Sequence, residues 1–143
     1  MKVSTKGRYA LRVMIDLALH NTGEFISLKE IAHRQNITIK YLEQIIGMLQ
    51  KAGYVLSLRG QQGGYRLAKA PEETVVGDIL RLAEGSLSPL DCLEQDSCAA
   101  IPHCPTRPFW AGLYQVITRY VDQFTIADLA EEDRQRMELD YSI

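Results

Sequence analysis

Between residues 27 and 68, "SLKEIAHRQNITIKYLEQIIGMLQKAGYVLSLRGQQGGYRLA" passes from helical to strand periodicity within one short stretch, which leaves few folds open. Ser27 and Glu30 have the spacing of a capping box, opening a short helix that runs through about Gln35. Asn36 suits the turn that follows, because Asn tolerates the left-handed conformation that ends helices. Thr38 caps a second helix to about Ala52, in which Leu42, Ile45, Ile46 and Leu49 share one face. Past Gly53 the pattern predicts strands at Val55–Leu58 and Tyr65–Ala68, with "RGQQGG" as the loop between them. Gly63 and Gly64 would supply the positive φ that a reversal needs. Two helices joined by a tight turn make a helix-turn-helix, and the hairpin directly after it makes a wing.

The flanking segments extend this frame. A first helix begins after Ser4 or Thr5 and carries an apolar stripe of Ala10, Val13, Met14, Leu17 and Ala18 before "NTG" stops it. Beyond the wing, "PEETVVGDILRLAEG" predicts one short helix capped by Thr74 and stopped by Gly85. Trp110, Leu113, Ile117, Tyr120 and Phe124 then recur at spacings of three and four, the seam of a helix that packs along another. That seam suggests self-association, with packing onto the chain's own first helix as the alternative. The fold class is therefore mainly α with a small β-hairpin, a winged helix-turn-helix plus a long dimerisation helix. Its organisation is a DNA-binding domain over residues 1–70, a connecting helix and loop over 71–90, a cysteine-rich loop over 91–106, and a dimerisation helix with a C-terminal tail over 107–143.

At 143 residues the chain suits one core and an appendage. It has no uncharged apolar run long enough for a bilayer and no h-region at its start, so a cytoplasmic protein without a membrane partner is expected. The net charge of −2 conceals a polarity: residues 1–69 hold eleven Lys/Arg against four Asp/Glu, while residues 70–143 hold five against fourteen. A basic half suits a polyanion, so a nucleic-acid surface belongs in the first half; the plainer reading is two unevenly solvated faces.

At the start of the second helix of the motif, Thr38, Lys40, Tyr41, Glu43 and Gln44 are free to leave the core. Glu43 can accept from cytosine N4 and Gln44 can pair with adenine, while Thr38 and Lys40 suit phosphates. Glu43 with Lys40 also has the spacing of an ordinary solvated pair, and Tyr41 can equally be a partly buried anchor. Arg59 at the wing tip can enter a minor groove, where narrowing concentrates negative potential. Ser4, Lys6, Arg8 and Tyr9 at the start of the first helix, and Gly60 beside Arg59, complete the candidate DNA-binding set.

All three cysteines, Cys92, Cys98 and Cys104, lie in "LDCLEQDSCAAIPHCPTRPFW", a polar stretch broken by Pro102 and Pro105 that predicts a loop. Structural zinc, redox thiols and an iron–sulfur cluster are the readings. Zinc sites pair thiols two to four residues apart, and five intervening residues fit that poorly. A cluster needs four ligand positions and tolerates wider spacing in an irregular loop. No nucleophile–base pair or phosphate loop stands out, so an enzyme is not expected.

Together "MKVSTKGRYALRVMIDLA", "YLEQIIGMLQKAGYVLSLRGQQGGYRLA" and the C-x5-C-x5-C spacing with a following tryptophan resemble the Rrf2 superfamily of dimeric winged-helix regulators, and within it the iron–sulfur cluster regulators. The resemblance covers nearly the whole chain. It implies a homodimer built through the long helix, a double-stranded DNA operator contacted by Tyr41, Glu43, Gln44 and Arg59, and a [2Fe-2S] cluster on Cys92, Cys98 and Cys104. It further implies a repressor controlling cluster biogenesis genes, supplied by the iron–sulfur assembly machinery. Sensors of nitric oxide, iron or cysteine supply are the alternative within the superfamily, and a thiol-redox protein without a DNA role is the alternative outside it. The chain departs from the pattern at Arg107, where these regulators place histidine three residues after the last cysteine; a guanidinium stays protonated and is no ordinary iron ligand. His103 is the nearest replacement as fourth ligand, with Glu94, Asp96, a partner group or an exogenous ligand as the others.

Overall fold

The computed structural model describes residues 2–95 and 98–142, which form six α-helices and one β-hairpin. α1 (Thr5–Leu19) opens on Ser4, whose hydroxyl accepts from the Gly7 N–H at 3.2 Å and satisfies one of the orphan donors of a helix start. α2 (Leu28–Gln35) opens on Ser27, which accepts from the Glu30 N–H at 3.2 Å; this is the Ser27 half of the anticipated capping box. Asn36 closes α2 in the left-handed region, at φ 52 and ψ 51, as predicted. α3 (Ile39–Lys51) opens on Thr38, and its Leu42, Ile45, Ile46 and Leu49 are no more than 1% exposed. Each such burial contributes roughly 1.5–3 kcal/mol, which is what holds a helix too short to persist alone in water.

The wing pairs β1 (Val55–Leu58) with β2 (Gly64–Leu67) in antiparallel register, Val55 opposite Leu67 and Leu58 opposite Gly64. Ile26 adds an isolated antiparallel bridge to β2, exchanging two backbone bonds of 2.8 Å with Tyr65 and holding the wing against the start of α2. Of the two glycines expected to supply positive φ, Gly64 does so, at 157°, and Gly63 does not; Gly60 also has positive φ, at 116°. Gly63 is needed for a close approach instead: a Cβ there would lie 2.2 Å from the Leu58 carbonyl oxygen.

α4 (Val76–Glu84) ends at Gly85 as predicted, but Thr74 is not its cap. A single 3-10 turn over Pro71–Glu73 comes first, and Val75 takes the cap position with no side-chain bond. Thr74 is buried, and its carbonyl accepts from the Ile126 N–H, while the Val76 N–H donates to the Phe124 carbonyl, both at 2.9 Å. Pairing with a distant segment thus satisfies the helix start that a hydroxyl would otherwise serve.

The last part of the chain forms two helices, α5 (Arg107–Asp122) and α6 (Ile126–Tyr141). What was expected as a tail is a helix because Thr125 and Asp128 make a reciprocal capping box, at 2.8 and 3.2 Å, that restarts the chain after α5. α6 runs along α1 and buries Ile126 and Ala130. α5 meets α4 through Arg81, whose guanidinium donates to both Asp122 oxygens at 2.9 and 2.8 Å. A Cβ at Gly77 would come within 2.0 Å of Asp122 Oδ1, so glycine there is what admits the carboxylate. The core joins α1, α2, α3, the wing, α4 and the start of α6. No helix among the described residues is long and apolar enough to cross a membrane.

Candidate nucleic-acid interface and cysteine loop

The buried stripe of α3 decides which of its side chains face outward. With successive residues about 100° apart, anchoring Leu42, Ile45, Ile46 and Leu49 in the core leaves Lys40, Glu43 and Gln44 exposed. Thr38 is exposed and accepts from the Tyr41 N–H at 3.2 Å, so its hydroxyl is engaged as a cap. Tyr41 is half-buried against the core and meets Tyr9 edge to face, ring centres 5.9 Å apart. Arg12, also of α1, lies 4.6 Å over the Tyr9 ring and donates to Gln35 of α2.

Ser4, Lys6 and Arg8 are exposed in the first turn of α1, where Arg8 donates to the Thr5 hydroxyl at 3.2 Å. Arg59 and Gly60 are exposed in the wing loop. Gln50 of α3 donates to the Ser57 hydroxyl at 2.8 Å and ties β1 to the helix. An ion pair on a buried carboxylate links α1 to α2, and sequence reasoning missed it. Asp16 accepts from Arg34 at 2.8 and 2.9 Å and from the Gln35 amide at 2.8 Å. This carboxylate, hydrogen-bonded above all, raises the Arg34 pKa above its ordinary value. The available signal was an acid at position 16 beside an apolar stripe.

Among the described residues, the cysteine loop carries single 3-10 turns at Asp91–Leu93 and Ile101–His103. Cys92 and Cys104 are half-buried, Cys98 is exposed, and His103 is exposed. Arg107 donates to the Cys92 carbonyl at 3.2 Å and so links the first cysteine to α5. The Cys104 thiol lies 3.6 Å from the Thr106 hydroxyl. That hydroxyl first, then backbone N–H groups and the Arg107 charge, lower the Cys104 pKa, which favours the thiolate. Glu94 accepts from Ser86 and from Tyr114 of α5, both at 2.7 Å. Those bonds, Ser86 first, hold the Glu94 pKa below its ordinary value, whereas Glu94 raises that of Tyr114.

Among the described residues, no group of three or more His, Cys, Asp or Glu side chains is placed to hold a metal ion. Cys92, Cys98, Cys104 and His103 are therefore not gathered into a ligand set as the described residues stand. Glu94 is engaged elsewhere, and Asp96 lies outside the described residues.

α5 divides the predicted seam. Phe124 packs toward the chain's own core, Trp110, Leu113 and Ile117 are half-buried, and Tyr120 is 61% exposed. Phe109 and Val116 join Tyr120 on the open side, and no α5 residue is fully buried.

The family model described as "Rrf2: Iron-dependent Transcriptional regulator" matches residues 3–132. The chain is 39% identical to protein rrf2 of Nitratidesulfovibrio vulgaris over 92% of its own length and 89% of that protein. It resembles the solved structure of CymR, the global cysteine regulator of B. subtilis, at TM-score 0.78 and 37% identity, covering 92% of this chain and 98% of that one. It also resembles the structure of T. potens IscR at TM-score 0.75 and 42% identity, covering 93% and 88%.

Proposed function

The chain belongs to the Rrf2 family of transcriptional regulators, and from that premise we propose that it binds a duplex operator as a homodimer, with α3 in the major groove and the wing at a minor groove. The observation that carries this is the exposed row of Lys40, Glu43 and Gln44 above a fully buried stripe, in the half of the chain that holds eleven of its sixteen Lys/Arg. Glu43 and Gln44 read base edges, Thr38, Lys40, Ser4, Lys6 and Arg8 lie along phosphates, and Arg59 with Gly60 enters the minor groove. Tyr9 and Tyr41 brace α1 against α3. The open face of α5 meets its counterpart in the second copy.

The finer reading is a repressor of iron–sulfur cluster biogenesis genes that holds a [2Fe-2S] cluster on Cys92, Cys98 and Cys104, received from the assembly machinery. Support comes from the even cysteine spacing, from the irregular loop and from similarity to IscR. Because the described residues do not gather three such ligands, that binding requires the loop to rearrange. Similarity to a global cysteine regulator favours a second reading, control by cysteine supply.

Anaerobic purification with visible absorption, iron and sulfide analysis, followed by duplex binding over a salt series, tests these readings. Colour with iron and sulfide, lost in Cys92→Ala, Cys98→Ala and Cys104→Ala alike, is the result expected for the cluster. A colourless protein with salt-dependent duplex binding supports the cysteine-supply reading. Absence of salt-dependent binding, with one unusually reactive thiol, would make the chain a thiol-redox protein and overturn the proposal.

A further inference from the structure

Glu84 is the last residue of α4, where a carboxylate opposes its own helix dipole, yet its side chain serves a different helix. Its Oε1 accepts from the Ser4 N–H at 2.9 Å and from the Ser4 hydroxyl at 2.6 Å. The same hydroxyl accepts from the Gly7 N–H at 3.2 Å, so carboxylate, hydroxyl and amide run in series into the first turn of α1. That turn has no acidic residue of its own, and Glu84 supplies the anion that a helix N-terminus favours. The fit is close: a Cβ at Gly7 would sit 2.2 Å from Glu84 Oε1.

On the other side of Glu84 the chain leads to the cysteines. Gly85 ends α4, and the next residue, Ser86, donates to Glu94 at 2.7 Å. Glu94 also takes the Tyr114 hydroxyl of α5 and stands two residues after Cys92, whose carbonyl is held by Arg107. Two hydrogen-bonded junctions, Ser86–Glu94 and Ser4–Glu84, therefore separate the cysteine loop from the turn that presents Ser4, Lys6 and Arg8. α4 is braced against α5 through Arg81 and Asp122, so displacement of Ser86 falls on the residues beyond Arg81 at the end of α4, where Glu84 sits.

We propose that Glu84 is a positioning residue for DNA binding: it sets the first turn of α1 and makes that turn answer to the state of the cysteine loop through Ser86 and Glu94. The proposal rests on the DNA-binding reading above. A loop that shifts when its thiols are occupied moves Ser86, and Glu84, two residues back, then tightens or releases its two bonds to Ser4. Because one of those bonds is to a backbone N–H, the turn itself is affected and not only one side chain.

The test uses the full metal-free chain with its three thiols free or carbamidomethylated by iodoacetamide, and follows amide hydrogen exchange at Thr5–Arg8. In the parent, alkylation should change protection of these amides several-fold. In Glu84→Ala the response should vanish, while Glu84→Gln, which keeps an acceptor oxygen, should restore part of it. Ser86→Ala and Tyr114→Phe, which break the path far from α1, should blunt the response even if Glu84→Ala folds poorly. Duplex affinity should depend on alkylation in the parent and not in Glu84→Ala. No response in the parent, or the same response in Glu84→Ala, overturns the coupling. A parent that shows the exchange response but binds no duplex DNA overturns the DNA-binding reading instead, so the two failures are told apart.

Discussion

Asp16 of α1 and Arg34 of α2 form a two-pronged ion pair at 2.8 and 2.9 Å, with the Asp16 side chain only 2% exposed and that of Arg34 30% exposed. The two ends of this pair are therefore not equivalent. A buried carboxylate left without its cation cannot reach water, whereas a guanidinium left alone can turn outward on its flexible stem.

Arg34→Ala should accordingly cost about 3 kcal/mol, and Asp16→Ala distinctly less. Urea unfolding of the two variants measures this directly. Equal losses, or a larger loss for Asp16→Ala, would show that the pair is not a buried-carboxylate site.

Under the proposed docking, Glu43→Ala and Arg59→Ala should fail in different ways, because the first would remove a base-edge contact and the second a contact set by the shape and charge of a groove. Glu43→Ala should relax discrimination at a single base pair, worth about 1–3 kcal/mol. Arg59→Ala should weaken binding most at sites with a narrow minor groove and lower the salt slope by about one unit. Binding isotherms on an operator series would refute both roles if the variants match the parent at every site.

The open face of α5 gives the proposed homodimer a test. Phe109, Val116 and Tyr120 are 68%, 61% and 61% exposed and fall within about 40° of one another around the helix. Val116→Glu should shift sedimentation toward monomer more than Trp110→Ala with Leu113→Ala, since the latter two side chains are already half-covered within the chain. An unchanged dimer in Val116→Glu would place the interface elsewhere.

Acid should loosen the cysteine loop at Glu94. Its pKa is lowered by bonds from Ser86 and Tyr114, so the folded chain favours the ionised form more than the unfolded chain does. The resulting stabilisation is present above the ordinary value of 4.5 and is lost as pH falls through the depressed folded value. Ser86→Ala and Tyr114→Phe should each move the Glu94 titration, followed by carboxyl NMR, back up toward that ordinary value. A titration unmoved by both changes would show that neither hydroxyl holds the carboxylate.

The frame of the molecule was legible because it is local. Caps at Ser4, Ser27 and Thr38, the left-handed Asn36 and the stop at Gly85 are each written within a few residues, and the stripe of α3 follows from a 3.6-residue period. The outward set Lys40, Glu43 and Gln44 followed by elimination from that stripe. The α6 start was equally local, since Thr125 and Asp128 have capping-box spacing, and it was overlooked beneath the longer seam of α5.

Other features depend on partners that local patterns do not reveal. Ser4 and Glu84 meet across 80 residues, Asp16 and Arg34 across 18, and Thr74 is satisfied by Ile126 rather than by capping α4. None of these pairs has a period or a spacing, because each is produced when helices already formed are packed together. The sequence by itself determined where the helices and the wing begin and end and which faces of them are apolar, since those depend on capping, φ and burial along a few turns. Only the tertiary structure decided that Glu84 serves α1 instead of α4, that Phe124 leaves the open seam for the core, and that Cys92, Cys98 and Cys104 are not gathered into one metal-binding group among the described residues, because spacing along a loop constrains reach but not direction.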